Sequence, residues 1–375
     1  MAVRYVRVDP LVNLFAPAVR AFGTIAVVGR VASQATLAAD DDAAGAPPEP
    51  VAFTRPDDAL DRFPGDLGEA IALTFAQTPG PTLVYGVPVD ADNPNWADAL
   101  TAVAGLNAQL VMLANIPVTS ATREPAGAIG LLSAHVTSVS NTGGDGMERM
   151  GVAMLEKGAT DPAVIVTNER MVYIAHNSDQ DAAAAVTGTI AGYEPFVSML
   201  LKPVNIISPP FAPADIEALN GPEEADSGPG GQGVNWLTSP ALIPGNGVYL
   251  GEGYTGAPGS GKKYIDVCRM VDDVAFRLKA RLISSIGNVR ISRSGLRALI
   301  AQMEAILTPL VDADVLNRFE IVVPVLTLLD KDPAARTPAE QEQIHQAEVQ
   351  RLVEVLAAVE YAGAVHRISI TLKFE

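Results

Sequence analysis

The chain has 375 residues, of which 48% are hydrophobic, and its 43 acidic and 26 basic residues give a net charge of −17. A chain of this length can bury a sizeable core and is expected to hold two or more domains. The acidic balance argues against nucleic acid and against an anionic membrane as partners, because both bind basic surfaces. The single cysteine, Cys268, excludes an intramolecular disulfide and indicates a reducing compartment.

No segment predicts export or a membrane span. Asp9, Pro10 and Arg20 interrupt the N-terminal apolar run before the core of a signal peptide would be complete. The most apolar later stretch, residues 182–201, contains Glu194 and is too short and broken to cross a bilayer. We therefore expect a protein that is made and folded in the cytoplasm.

Strand and helix patterns alternate through the first part of the chain. Residues 3–8 are β-branched and aromatic and predict a short strand, and residues 24–29 form an apolar run typical of a strand buried on both faces. Further strand patterns lie at 51–54, 82–89, 110–114, 163–167 and 171–175, and helices are predicted over 66–77, 96–106, 146–157 and 180–193. Such alternation predicts one largely parallel α/β domain.

The last quarter of the chain has the most regular patterns. Helical apolar faces run over 265–286, where Cys268 is a core residue, and over 296–310, with Ser294 as the candidate N-cap. Residues 319–329 predict a strand in which Pro324 favours an edge or a bulge. A capping box with proline at the first helical position starts a helix at 337–340, and we expect this helix to continue to Gly363.

Two glycine-rich motifs overlap in residues 251–263, after a predicted hairpin over 236–254. The first fits a dinucleotide fingerprint, and the second fits a P-loop except that Lys263 stands where a P-loop has the Ser or Thr that binds magnesium. Pro258 also removes an amide from the loop, and no Walker B strand follows. A glycine-rich connector before a helix is the preferred interpretation. A nucleotide-binding α/β protein, or an enzyme using this loop, is the alternative.

No other pattern predicts catalysis. The four histidines have no metal-ligand spacing, and no nucleophile elbow is present. Asp273 lies four residues from both Arg269 and Arg277, so an intrahelical ion-pair ladder explains it better than a pair of catalytic carboxylates. We therefore predict no catalytic residue, metal site or cofactor.

Positive charge is concentrated between residues 262 and 301, where nine residues are basic and three are acidic. Clusters of one sign steer and register interfaces with surfaces of the opposite sign. The predicted interface bases are Arg269, Arg277, Arg281, Arg290, Arg293 and Arg297. A solvated face whose charges pair locally is the alternative.

The C-terminal part of the chain also resembles a known family. Residues 264–279, 288–297, 319–325 and 361–372 are similar, in order and spacing, to the C-terminal core of contractile tail sheath proteins. These proteins form the outer cylinder of contractile phage tails, R-type pyocins and related injection systems. The resemblance covers roughly residues 208–375 and is vaguer near the N-terminus.

The resemblance implies a fold with an α+β core formed by both chain ends and an inserted, largely parallel α/β domain on the outside. The expected divisions are 1–22 (N-terminal arm and entry to the core), 23–207 (inserted domain), 208–365 (core) and 366–375 (C-terminal strand arm). Each arm would add a strand to a neighbouring subunit. The arm residues would be Val3, Tyr5, Val6, Val8, Ile368, Ile370, Leu372 and Phe374.

The function implied is that of a structural subunit which is not an enzyme. It would polymerise as hexameric rings stacked helically around an inner tube protein, and it would contract to drive the tube through a target envelope. Baseplate and tail terminator proteins would be further partners, with no nucleic acid and no membrane bound by the subunit. The place of action would be an assembled virion tail or contractile particle.

Overall fold

The computed structural model describes residues 22–31, 48–142, 146–222, 231–245 and 247–366. These residues form two compact units. The larger unit comprises the described residues of 22–273 together with 364–366, and the smaller one comprises 274–363.

The larger unit contains a nine-stranded sheet. Its strands are β1 (Ile25–Val31), β2 (Val51–Phe53), β3 (Val84–Asp90), β4 (Leu110–Val118), β5 (Met150–Leu155), β6 (Met171–Ala175), β7 (Pro203–Val204), β8 (Val234–Thr238) and β9 (Val248–Leu250). The order across the sheet is β2-β3-β1-β4-β5-β6-β8-β9-β7. The central strands from β3 to β8 pair in parallel, and the strands at the two edges pair antiparallel. The prediction of a largely parallel α/β fold is confirmed.

Six helices cover the two faces of this sheet. They are α1 (Pro56–Arg62), α2 (Asp66–Phe75), α3 (Trp96–Ala104), α4 (Ala128–Thr142), α5 (Ala182–Gly192) and α6 (Pro213–Asn220). One apolar core contains residues of α2 and α5, and the other contains residues of α3, α4 and α6. Because both faces are covered, the central strands are buried on both sides, and their sequences are continuous apolar runs.

Two element predictions in this unit are wrong. The helix predicted over 146–157 is instead strand β5, all six residues of which are buried. The strand predicted over 163–167 is a short 3-10 turn, Pro162–Val164, followed by irregular chain. Periodicity cannot separate a short buried strand from a buried helix, because neither has a polar face.

The smaller unit is α+β. Helix α7 (Ile265–Leu282) begins in the larger unit and ends in this one, and a 3-10 turn, Ile283–Ser285, follows it. The other elements are α8 (Arg293–Asp312), β10 (Leu316–Val322), α9 (Pro324–Asp330), the 3-10 turn Pro333–Ala335, α10 (Pro338–Gln350) and β11 (Leu356–Tyr361). Leu296, Val323 and Leu326 form a buried apolar cluster within it.

Helix α10 begins where the sequence predicts. The Thr337 hydroxyl accepts from the Glu340 amide at 3.3 Å, and the Glu340 carboxylate accepts from the Thr337 amide at 2.9 Å. The helix ends at Gln350, however, and not at Gly363. Arg351 takes a left-handed φ of 54°, and the apolar residues that follow form strand β11.

Two further local predictions are corrected. Ser292, and not Ser294, is the N-cap of α8, with its hydroxyl accepting from the Gly295 amide at 3.2 Å. The strand predicted over 319–329 ends at Val322, and Pro324 opens helix α9. Proline suits the first turn of a helix, because the amide it lacks has no intrahelical partner there.

The division between the units lies at 273/274, not at the predicted 208. Strand β8 pairs with β6, so it extends the α/β sheet, and Ile265 and Cys268 are buried in the same core as α2 and α5. The predicted arms at 3–8 and 367–375 lie outside the described residues, as does the N-terminal contribution to the core.

Candidate assembly surfaces

Strands β10 and β11 form a small antiparallel sheet, with Phe319 opposite Val359 and Ile321 opposite Ala357. Within the described part of the chain, no third strand joins this sheet. An isolated two-stranded sheet is marginal in water and is usually extended or covered. Within the described residues, the outer edges of this sheet are therefore open and could accept another strand.

Strand β11 is unusually exposed for its composition. Five of its six residues are exposed, among them Leu356 at 53% and Val359 at 38%, and Val322 at the end of β10 is 37% exposed. Across the sheet, Arg318 donates to Glu360 at 2.6 Å, and this hydrogen bond lowers the pKa of Glu360. An uncovered apolar edge is an aggregation hazard for a monomer, so this sheet is expected to be covered in the working protein.

Arg293 and Arg297, which were predicted to face a partner, have partners within their own unit. The Arg293 guanidinium donates to the Leu329 carbonyl at 2.6 Å, and Arg297 donates to the Asp330 carboxylate at 3.0 Å. Both contacts lie at the C-terminal end of α9, where the helix dipole favours cations. The two side chains remain half-exposed or more. They can therefore contribute to an outer surface while also binding the C-terminal end of α9.

The other four predicted interface arginines divide by exposure. Arg290 is exposed, and Arg277 and Arg281 are partly buried. Arg269 is buried, donates to the Tyr193 carbonyl at 2.8 Å, and has its pKa lowered to about 10 by burial. Arg269 is therefore corrected from an interface residue to a core residue. The spacing that predicted a basic helical face could not show that this turn of α7 is covered.

Several backbone amides of the glycine-rich loop, residues 251–263, are bonded within the protein. The Gly256 amide donates to the Met171 carbonyl at 2.7 Å, and the Thr255 amide donates to the Lys263 carbonyl at 2.8 Å. A phosphate site needs amides that point at the ligand. The Lys262 ammonium, which a P-loop would place on phosphates, is 2.8 Å from Glu169. This geometry does not favour nucleotide binding.

Two glycines of this loop, Gly251 and Gly256, serve close packing. A Cβ on Gly251 would lie 2.3 Å from the Trp236 indole nitrogen, and a Cβ on Gly256 would lie 2.6 Å from the Tyr173 ring. Both approaches are too short for any larger residue. Packing against residues of the sheet therefore explains these two glycines, whereas a Cβ on Gly259 or Gly261 would meet open space.

Cys268 and Asp272, on the helix that follows the loop, are buried. Burial raises the pKa of the Cys268 thiol to about 12, which makes the thiol inert. Asp272 forms a two-bond pair with Arg170, at 2.8 and 3.0 Å, inside the larger unit. Among the described residues, no group of three or more His, Cys, Asp or Glu side chains is placed to hold a metal ion. Across the same residues, no helix is both long enough and apolar enough to cross a bilayer.

The sequence did not predict which sheet could receive an added strand. The composition of residues 356–361 could have indicated this strand, because a run of Leu, Ala and Val with one Glu also suits an exposed strand. The helix pattern before them concealed it, since an alanine-rich run continues a helix equally well.

No family model matches the chain, and no curated protein matches it in sequence. Solved structures do match. The contracted helical sheath of the anti-feeding prophage is similar over 100% of this chain and 99% of its own, with a TM-score of 0.66 at 14% identity. The contracted sheath complex of the extracellular contractile injection system PVC gives 0.66 at 11% identity, over 100% and 98%.

A third similar structure is the sheath tail protein of Desulfitobacterium hafniense, with a TM-score of 0.55 at 11% identity, over 86% of this chain and 93% of its own. At such identities the likeness concerns the fold. The chain therefore has the fold of contractile sheath proteins, as its sequence resemblance implied.

Proposed function

We propose that this protein is the structural subunit of a contractile sheath. It would polymerise helically around an inner tube and contract to drive that tube through a target envelope. The observation that carries the proposal is the full-length match of the fold to contracted sheath subunits, together with the exposed strand β11 of a sheet that has two strands within the described residues. The similar anti-feeding prophage proteins belong to a helical sheath and to a six-fold symmetrised baseplate, which supports hexameric rings and a baseplate partner here.

The terminal segments would complete the open sheet of a neighbouring subunit. Residues 368–374 alternate apolar and polar, with Ile368, Ile370, Leu372 and Phe374 on one face. Each such side chain gains about 1.5–3 kcal/mol when it is fully buried. The exposed apolar residues of β10 and β11 offer a matching surface, and strand addition also satisfies the open backbone groups. The segment 3–8 would do the same at a second edge.

Contraction would then be a change in the packing of subunits that stay folded. The sheath would need no nucleotide if its extended assembly is metastable and its contracted assembly lies lower in free energy. The strand exchange would keep the mesh connected during the movement.

The exposed bases of the smaller unit would meet an acidic surface of the inner tube or of the next subunit. From 274 to 303 the chain has six bases and no acid, whereas from 304 to 363 it has four bases and eleven acids. Opposite charges set the register of an interface more than its affinity. Arg290 is exposed, and among the predicted arginines of this unit it is the one that we expect to act in this way.

The test is deletion of either arm. Removing 368–375 or 1–8 should leave a folded subunit that no longer sediments as long tubes, because the two units remain while the exchanged strands are lost. As a control, a five-residue Gly/Ser extension after Glu375 should leave tube formation intact. Normal tubes from both deleted chains, or unfolding of the deleted monomers, would refute strand exchange.

A further inference from the structure

His366 is inserted into a polar notch of the larger unit. Its Nε2 lies 2.9 Å from the Ser198 hydroxyl, and its Nδ1 lies 3.2 Å from a Glu252 carboxylate oxygen. Its ring meets the Tyr264 ring edge-on, with centroids 4.8 Å apart. The His366 side chain is 16% exposed and that of Glu252 is 5% exposed, so the contact is well shielded from water.

The hydrogen bonds of the notch can all be satisfied at once. A carboxylate only accepts, so Nδ1 of His366 donates to Glu252. The Ser198 oxygen accepts from the Leu200 amide at 3.3 Å, which leaves its own proton for Nε2. Hydrogen bonds to charged groups are among the stronger ones in proteins, at about 1.5–3 kcal/mol. The imidazole is therefore held by a hydrogen bond at each of its two nitrogens and by contact with the Tyr264 ring.

The glycine-rich loop builds two sides of this notch. Glu252 lies inside the loop and Tyr264 follows it, and Tyr254 and Tyr264 form a backbone bridge that closes the loop at its base. Their rings lie 5.6 Å apart, and the Lys263 ammonium lies within 5.5 Å of both ring centroids. The motif that resembled a nucleotide site thus forms a rigid receptor for a side chain of this protein.

The residues just before His366 have no comparable attachment. Gly363, Ala364 and Val365 are exposed, Val365 at 75%. The chain leaves the smaller unit at Gly363, and residue 366 is held by the larger one. His366, the first residue of the predicted C-terminal arm, is therefore the point at which this segment is attached to the larger unit.

We propose that the glycine-rich loop is the docking site for the chain's own C-terminal segment, and that His366 positions the start of the strand arm for exchange. This inference rests on the proposed function. Fixing residue 366 limits the directions in which the following residues can leave the subunit, and such preorganisation reduces the entropy lost when they pair with a neighbour. The loop would then serve assembly without binding any small molecule.

The experiment compares the full-length chain with His366→Ala and His366→Gln. Trypsin can cut after Arg367, the residue that follows His366 in the sequence, and mass spectrometry can follow release of the C-terminal peptide from the soluble subunit. Cleavage of a native protein tracks the population of the open form. We expect release to be about tenfold faster for His366→Ala, given the bonds lost. His366→Gln, which keeps one donor and one acceptor, should fall between the two.

His345→Ala is the matched control, because His345 is an exposed histidine on α10. It should leave the release rate unchanged. The same release rate in wild type and both His366 variants would overturn the docking. If His366→Ala releases the C-terminal peptide faster but still forms normal tubes, the proposal that His366 positions the arm would be overturned. Absence of tubes from the wild type would count against the proposed function itself, while the proteolysis would still decide the docking. Ser198→Ala, which removes one bond only, keeps the test valid if His366→Ala misfolds.

Discussion

Replacement of Asp272 by Asn tests how firmly the first half of α7 is joined to the α/β unit. The Arg170 and Asp272 side chains are 9% and 12% exposed and share two hydrogen bonds, at 2.8 and 3.0 Å. Burial lowers the pKa of Arg170, but the hydrogen bonds and the charge of Asp272 outweigh this effect, so that the pKa is raised. Removing one member of a buried pair costs about 3–5 kcal/mol, because the other charge is left uncompensated. Asn keeps one acceptor, so we expect a loss of about 3 kcal/mol.

Urea unfolding followed by tryptophan fluorescence is the assay. Both tryptophans of the chain, Trp96 and Trp236, are buried in the α/β unit and report on it alone. The control is Asp179→Asn, which breaks the exposed pair with Lys157 and should cost less than about 1 kcal/mol. A loss below about 1 kcal/mol for Asp272→Asn would refute the assignment of this turn of α7 to the α/β unit.

Three other predictions follow. Arg290→Glu should reduce tube yield at low salt more than at high salt, measured by sedimentation against Arg55→Glu as control; equal yields would remove Arg290 from the interface. Burial, with a smaller effect of Arg149, lowers the pKa of His135 to about 4, so protonation favours the unfolded chain as the pH falls from about 6.5 toward 4. Between pH 7 and 5, the free energy of unfolding of the wild type should fall by about 2 kcal/mol more than that of His135→Gln, and an equal fall would contradict this prediction. Calorimetry with ATP and NADH should show no binding, and micromolar binding would restore the nucleotide alternative.

The parallel sheet could be predicted because most of its central strands, and the helices α2, α3 and α5, were recognisable from their length and period, whereas α1, α4 and α6 were not predicted. Strand β1 was evident from its continuous apolar run, and α10 began where its capping box stood. Strand β5 could not be predicted in the same way. It is buried on both faces, so its residues carry no alternation, and its apolar positions fit a helix equally well.

The candidate assembly surfaces were predicted less completely. Charge counting located the basic stretch, but it could not show that Arg269 lies inside the protein or that Arg293 and Arg297 contact the end of α9. His366 gave no signal in the sequence, since its partners Ser198 and Glu252 are distant along the chain. Contacts of such separation depend on the tertiary fold, which local patterns do not encode.

Electron microscopy of the purified full-length chain tests the sheath assignment most directly. If the protein is a contractile sheath subunit, concentrated samples should contain hollow tubes of uniform diameter with helical order and six-fold symmetry in end views. Truncation of residues 368–375 should abolish these tubes. A chain that stays monomeric at every concentration and salt condition, alone and when expressed with its inner tube protein, would contradict the assignment.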